Sequence, residues 1–363
     1  MLKIRFNQRK FKAFVSRYKI SGGIIIGALV IFLGFVIYLQ TQNVTAKPTT
    51  TKATKNKTVK EVKVTGIAAP LTGLPVDKSL AGRTALGVII ENHPDARPQS
   101  GYNEADLVYE TLAEGGITRT LAIYQSKDSK EIGPVRSART YFVDWLSEVG
   151  GIFAHVGGNA DALDMITQLN FPDLNQFAYG NYYRRSTDRY APHNVYTSSE
   201  KLYSAAKSAE YNLAKPPASM TFKDDTSLKN RTASQNININ FSSADYAVSY
   251  AYDPADNSYL RSVAGEASKD MNTGIQIKPK NVVVQFTSIV PYINYVGEQG
   301  VQIQTTGNGL GYVFQDGKSI NATWTKDSRT SRTKFFDTEN KEIVFNKGQT
   351  WFEIVPTGQS VTY

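Results

Sequence analysis

None of the 363 residues is a cysteine. The chain can therefore form no disulfide, thiolate metal site or thiol nucleophile, and it offers no cysteine for an N-terminal lipid anchor. Histidine is nearly as scarce, with only His93, His155 and His193. No two of them stand in an HExxH or HxH spacing, so no compact metal-ligand motif exists. A GxSxG nucleophile elbow is missing, and the Gly157-Gly158 pair does not make a phosphate loop. No cofactor and no metal are expected from these patterns.

Acidic residues are absent before Glu61. Residues 1–63 hold 13 Lys and Arg against that single carboxylate, whereas the remainder holds 28 against 31. The formal net charge of +9 thus belongs to the N-terminal segment, and the globular part is mildly acidic. A basic domain tracking nucleic-acid phosphates is not supported, and no nucleic-acid partner is expected.

What is present begins with a basic segment at 1–19 and an uncharged apolar run from Ile20 to Gln40. At ~1.5 Å per helical residue that run can cross a ~30 Å hydrocarbon core. Basic residues on its N-terminal side place residues 1–19 in the cytoplasm and 41–363 outside, as a single-pass membrane anchor. The run is longer than a signal-peptide core, and Val44-Thr45-Ala46 is a weak cleavage site. Residues 41–63 are rich in Thr and Lys and cannot build a core; as a coil they would span ~25–30 Å, a flexible tether.

From 64 to 213 strand and helix signals alternate. Thr84–Asn92, Ala105–Ala113 and Ile117–Ser126 read as strands, the last two joined by a turn at Glu114–Gly116. Phe142, Trp145, Leu146 and Val149 recur at helical spacing, with Ser137 as the expected N-cap. Gly150–Gly158 reads as a strand, Asn159 as the N-cap of a helix to Leu169, and Ser199–Tyr211 as another helix. The expected fold class is an α+β or α/β domain with helices against a sheet. Ala214–Ser219 is a proline-bearing boundary. Residues 219–363 read as a mainly antiparallel β domain, with turns at Asn308-Gly309 and Asp316-Gly317 and with Trp324, Trp351, Phe352 and Tyr312 in its core.

Several stretches resemble a known family. "PLTGL" at 70–74, the run from Glu91 to Tyr124, "IGPVRSAR" at 132–139 and "APHNVYTS" at 191–198 are similar to the YerB-like family of Gram-positive-type envelope lipoproteins. Ser258 to Phe286 and "KGQTWFEIVP" at 347–356 look like its second part. The resemblance implies a domain of unknown function in two parts and an envelope location, but no activity. This chain departs from the family in lacking a lipobox cysteine, so the apolar helix would replace the lipid.

The polar residues admit two readings. Arg136 and Arg139 stand where a helix begins, against its dipole, so they need an anion. That anion is either one of the protein's own carboxylates, such as Glu110, Glu114 or Asp144, or a ligand's carboxylate or phosphate. The candidate ligand-binding set is Arg97, Gln99, Tyr109, Glu110, Arg119, Arg136, Ser137, Arg139, His155, Arg185, His193 and Asn194. Glu110 and Glu114 could form an acid/base pair, with His155 or His193 as a further catalytic group, or could pair structurally with Arg119 or Arg139. A zinc site from His155 and His193 with Glu91 or Glu110 lacks supporting spacing. The Tyr/Arg run from Tyr179 to Tyr190 suits either stacking on sugars or self-packing. The expected function is that of a membrane-anchored extracytoplasmic protein binding peptidoglycan, an anionic wall polymer or another envelope protein through its arginine-rich face. The alternatives are a hydrolase of wall glycan or peptide, and a scaffold for a membrane protein.

Overall fold

The computed structural model describes residues 66–363. The basic segment at 1–19, the anchor at 20–40 and the tether at 41–63 lie outside the described residues. Among the described residues no helix is long and apolar enough to cross a membrane.

The principal strands and helices of the first region are β1 (Leu86–Glu91), β2 (Leu107–Leu112), β3 (Thr118–Tyr124), α1 (Thr140–Ser147), β4 (Ile152–His155), α2 (Ala160–Gln168), β5 (Asp173–Asn175) and α3 (Ser199–Ser208). The second region adds β6 (Asn236–Asn240), β7 (Ala247–Asp253), β8 (Ser258–Val263), β9 (Glu266–Ala267), β10 (Asn281–Thr287), β11 (Ile289–Ile293) and β12 (Gln299–Ile303). It ends with β13 (Gly307–Gln315), β14 (Lys318–Lys326), β15 (Lys334–Phe336), β16 (Thr350–Pro356) and β17 (Val361–Thr362).

One ten-stranded mixed sheet runs in the order β15-β14-β13-β10-β16-β2-β3-β1-β4-β5. The stretch at 214–219 parts the two regions along the chain but not in the sheet. Strand β16 of the second region lies between β10 and β2, parallel to both, with Glu353 opposite Glu110. The second region is therefore not purely antiparallel. Five further strands form a second sheet, β9-β8-β7-β6-β17, and β11 and β12 form a separate hairpin.

Burial explains which sequence patterns appear where. Strands β1, β3 and β16 are buried along nearly their whole length because they are covered on both faces. On one face Phe142, Trp145 and Leu146 of α1 pack on Tyr109, Ile89 and Phe352. On the other, Leu202, Ala205 and Ala206 of α3 pack on Val88, Ile90 and Val108. The five-stranded sheet covers β10 and β13 through Ile237, Tyr250 and Tyr259. Strand β6, with only one covered face, alternates strictly between exposed and buried residues.

Local signals set several boundaries. Asn159 accepts from Ala162 N–H at 3.3 Å to cap α2, and Ser198 accepts from Lys201 N–H at 3.2 Å to cap α3. Asp316 and Gly317, at φ of 57° and 70°, form the expected two-residue turn between β13 and β14. By contrast, Asn308-Gly309 is not a turn. Both residues lie within β13, where Gly309 lets the Trp324 indole donate to Phe286 O at 2.8 Å. A Cβ at Gly317 would stand 2.0 Å from Thr232 Oγ1 and 2.4 Å from the Tyr252 ring. Gly317→Ala should cost about 1–3 kcal/mol through that overlap and the positive φ, read as a lower urea midpoint at unchanged m.

Candidate functional site

Residues 135–138 decide where the arginines go. Strands β1 and β4 pair only as far as Val88 and Ala154. Beyond that point the extended segment enters between them: Arg136 N–H donates to Ile89 O at 3.0 Å, and Val156 N–H donates to Arg136 O at 2.9 Å. Because this stretch is used as strand, the chain first turns into helix at Thr140. The N-cap is Arg139 rather than Ser137, with no side-chain capping bond. Arg136 and Arg139 thus stand at the C-terminal ends of parallel strands, the edge where open α/β sheets bind ligands.

Their anions are the protein's own. Arg136 Nε contacts Glu91 Oε2, and Arg139 Nε contacts Glu114 Oε1. Arg119, opposite Glu91 in the β1–β3 register, reaches Glu114 Oε2 at 3.6 Å and Ser137 O at 3.4 Å. The result is one row at the sheet edge in which three guanidiniums share two carboxylates. Burial alone would raise the Glu114 carboxyl, but the hydrogen bond and charge of Arg139, with Arg119, hold it below the usual carboxylate range. Burial and then the charge of Arg139 lower the Arg119 pKa, and Arg119 Nε has no hydrogen-bond partner among the described residues. Asp144, expected as an anion for these arginines, instead accepts from Arg329 Nε and Thr305 Oγ1, each at 2.6 Å.

His193 joins the row from the 180–198 loop, its Nδ1 standing 3.1 Å from Glu91 Oε2. Its ring stacks on His93 with centroids 4.6 Å apart. Arg185 donates to Asn194 Oδ1 at 2.9 Å and Asn194 Nδ2 donates to Ser186 O at 3.1 Å, so both brace that loop. The 180–190 aromatics divide: Tyr183 is buried, whereas Tyr190 is exposed.

Four expected members fall elsewhere. Tyr109 is a core residue, stacked between Trp145 and Phe352 at centroid distances of 5.5 and 4.5 Å. His155 is fully buried, held by Gly157 O and Asp173 Oδ1, each at 2.6 Å. Gln99 donates to Glu91 O at 2.9 Å and Asn92 Oδ1 at 3.0 Å, which pins the loop after β1. Arg97 ties that loop to the turn leading into β7 through Asp245 O at 2.8 Å and lines a cleft of about 410 Å³ with Pro94, Pro98 and Val263.

Glu110 also leaves the group. It has no exposed surface, and its cation is neither Arg119 nor Arg139 but Arg261 of β8, at 2.6 Å. Asn92 Nδ2 and Thr118 Oγ1 donate to its other oxygen at 2.9 and 2.7 Å. Glu353 lies beside it in register, accepting from the Tyr250 hydroxyl, and the Arg261 guanidinium sits 4.5 Å from the Trp351 ring centroid. This inter-sheet cluster is closed to solvent, so Glu110 and Glu114 do not form an acid/base pair across a cleft. No motif in the sequence marks Arg261 or Glu353 as a site residue. Their one local signal is a charge inside an otherwise apolar strand, as in "TWFEIVP".

Comparison with known proteins places this architecture. Residues 71–212 match the family described as "Protein of unknown function (DUF3048) N-terminal domain", and residues 237–352 match its C-terminal domain. The chain is 33% identical over 294 residues to "Putative lipoprotein YerB" of Bacillus subtilis (strain 168), covering 80% of this chain and 86% of the relative. Its structure is similar to the crystal structure of the YerB protein from Bacillus subtilis, with a TM-score of 0.74, 32% identity, and coverage of 82% of this chain and 100% of that one. With both halves matched in order and joined through one sheet, the chain belongs to the YerB-like DUF3048 family, whose function is unknown.

Proposed function

We propose that this protein is a membrane-tethered component of the cell envelope, with its folded part outside the cytoplasm, and that it binds an anionic envelope polymer without transforming it. The observation that carries the reading is the row of Arg119, Arg136 and Arg139, whose contacting carboxylates among the described residues are Glu91 and Glu114. Guanidiniums outnumber the carboxylates they contact there, at a sheet edge suited to ligands, and Arg136, with 24% of its side chain exposed, can meet an incoming anionic oxygen. The tethering is supported by the uncharged run from Ile20 to Gln40 and its basic flank. A relative named as a lipoprotein is consistent with an envelope location. With no cysteine in the sequence, the apolar run takes the place of a lipid.

The test is co-sedimentation of the full-length protein, in detergent, with isolated cell walls that retain or have been stripped of their anionic polymer. The protein should pellet only with unstripped walls and be released by high salt, which shortens the screening length to a few Å. The Arg136→Gln/Arg139→Gln double variant should bind about tenfold more weakly, as expected for loss of about one charge-assisted contact. Equal pelleting with stripped walls would defeat the reading, and release of soluble wall fragments would favour a hydrolase.

A further inference from the structure

Beside the arginine row, His93, Asp95 and His193 each present a donor atom, and the donors lie within 4.8 Å of one another. We infer that these three residues bind a divalent transition-metal ion of the zinc type, at a site independent of the polymer-binding reading. The donor set comes first: two imidazoles and one carboxylate is a combination that zinc accepts while keeping a fourth position open.

The spacing comes second. His93 Nδ1 and Asp95 Oδ2 are 3.6 Å apart. Two donors bound tetrahedrally at ~2.0–2.1 Å keep a separation of ~3.4 Å, so this pair lies near the spacing one ion needs. The His93 ring, stacked 17° from parallel on His193, turns about its Cβ–Cγ bond so that both imidazole planes contain the ion. The bond now made by His93 Nδ1, from Asp95 N–H, is long at 3.2 Å and is readily given up. Asp95 has 74% of its side-chain surface exposed, so it can adjust without disturbing the core.

The surroundings of His193 come third. Its Nδ1 stands 3.1 Å from Glu91 Oε2, and Glu91 is in turn held by Arg136. With the Nδ1 proton donated to a carboxylate, the lone pair falls on Nε2, the carboxylate–histidine arrangement that orients metal ligands. Glu91 would act as a positioning residue rather than as a ligand. The ion would face solvent beside the guanidiniums, with an open position for water or an anionic oxygen.

The experiment uses untagged full-length protein in detergent, treated with chelator and then titrated calorimetrically with Zn²⁺ alone. One equivalent should bind. His93→Ala and His193→Ala should each weaken binding at least tenfold, and Glu91→Gln by about 10–100-fold through lost orientation of His193. Co²⁺ in place of zinc should give the intense visible bands of low-coordinate cobalt, lost in His93→Ala. Far-UV circular dichroism of the two histidine variants should match the parent, since His93 and His193 lie outside the main strands. Failure of Zn²⁺ to bind, binding unchanged in both histidine variants, or Mg²⁺ binding as tightly as Zn²⁺ would each overturn the assignment.

Discussion

Arg261→Met should destabilise the folded unit by about 3–5 kcal/mol, the largest effect expected of any single change here. The guanidinium is buried between two sheets and is the cation facing Glu110 at 2.6 Å. Glu353 lies in register beside Glu110 on the neighbouring strand, so removing Arg261 leaves the buried Glu110 carboxylate without its contacting cation and next to a second carboxyl group. Asn92 and Thr118 would still donate to Glu110, but neutral donors do not offset a buried charge. The methionine side chain keeps the contact with Trp351 and much of the volume, so the loss reports charge rather than a cavity. The measurement is urea unfolding followed by tryptophan fluorescence. The Arg261→Met/Glu110→Gln double variant should recover a large part of the loss, because the two changes are coupled. A deficit below about 1 kcal/mol for the single variant would mean that water reaches Glu110 and that the cluster is not the inter-sheet clip described.

The second large effect is on pH dependence. Burial pushes the Glu353 carboxyl up to about 8, and the charge of Glu110 adds to this, against the opposing effects of Arg261 and the Tyr250 hydroxyl. The ordinary value is 4.5, so between about 4.5 and 8 the folded chain holds a proton that the unfolded chain gives up. Stability from this group is therefore full below about 4.5 and declines as the pH rises toward 8, by at most about 1.4 kcal/mol per pH unit. Glu353→Gln keeps an acceptor for Tyr250 and cannot ionise. It should flatten the fall in melting temperature between pH 6 and 8 and exceed the parent at pH 8 and above. If the parent and variant have parallel pH profiles, Glu353 is ionised in the folded protein at neutral pH.

Both predictions turn on residues that no local pattern marks as partners, and the reason is general to this fold. The existence of β1, β2 and β3, the Glu114–Gly116 turn, the cap Asn159 and the Asp316-Gly317 turn are legible because each is governed by residues within a few positions of one another. The charge asymmetry, the absence of cysteine and the apolar run at 20–40 are likewise properties of the chain before it folds. The arginine row was only half legible. The need of Arg136 and Arg139 for an anion could be read, but Glu91 as a partner could not, because a strand-like insertion between β1 and β4 brings them together. Asn308-Gly309 has the composition of a turn and lies in a strand, since nine residues of β13 pairing with β14 outweigh a two-residue preference. His93 meets His193 from a loop 100 residues away along the chain, and Glu110 meets Arg261 at a separation of 151. Sequence by itself determined the local elements, the charge distribution and the family. Tertiary structure alone decided which charges neutralise one another, because burial makes pairing compulsory while strand order, set by the whole core, chooses the partner.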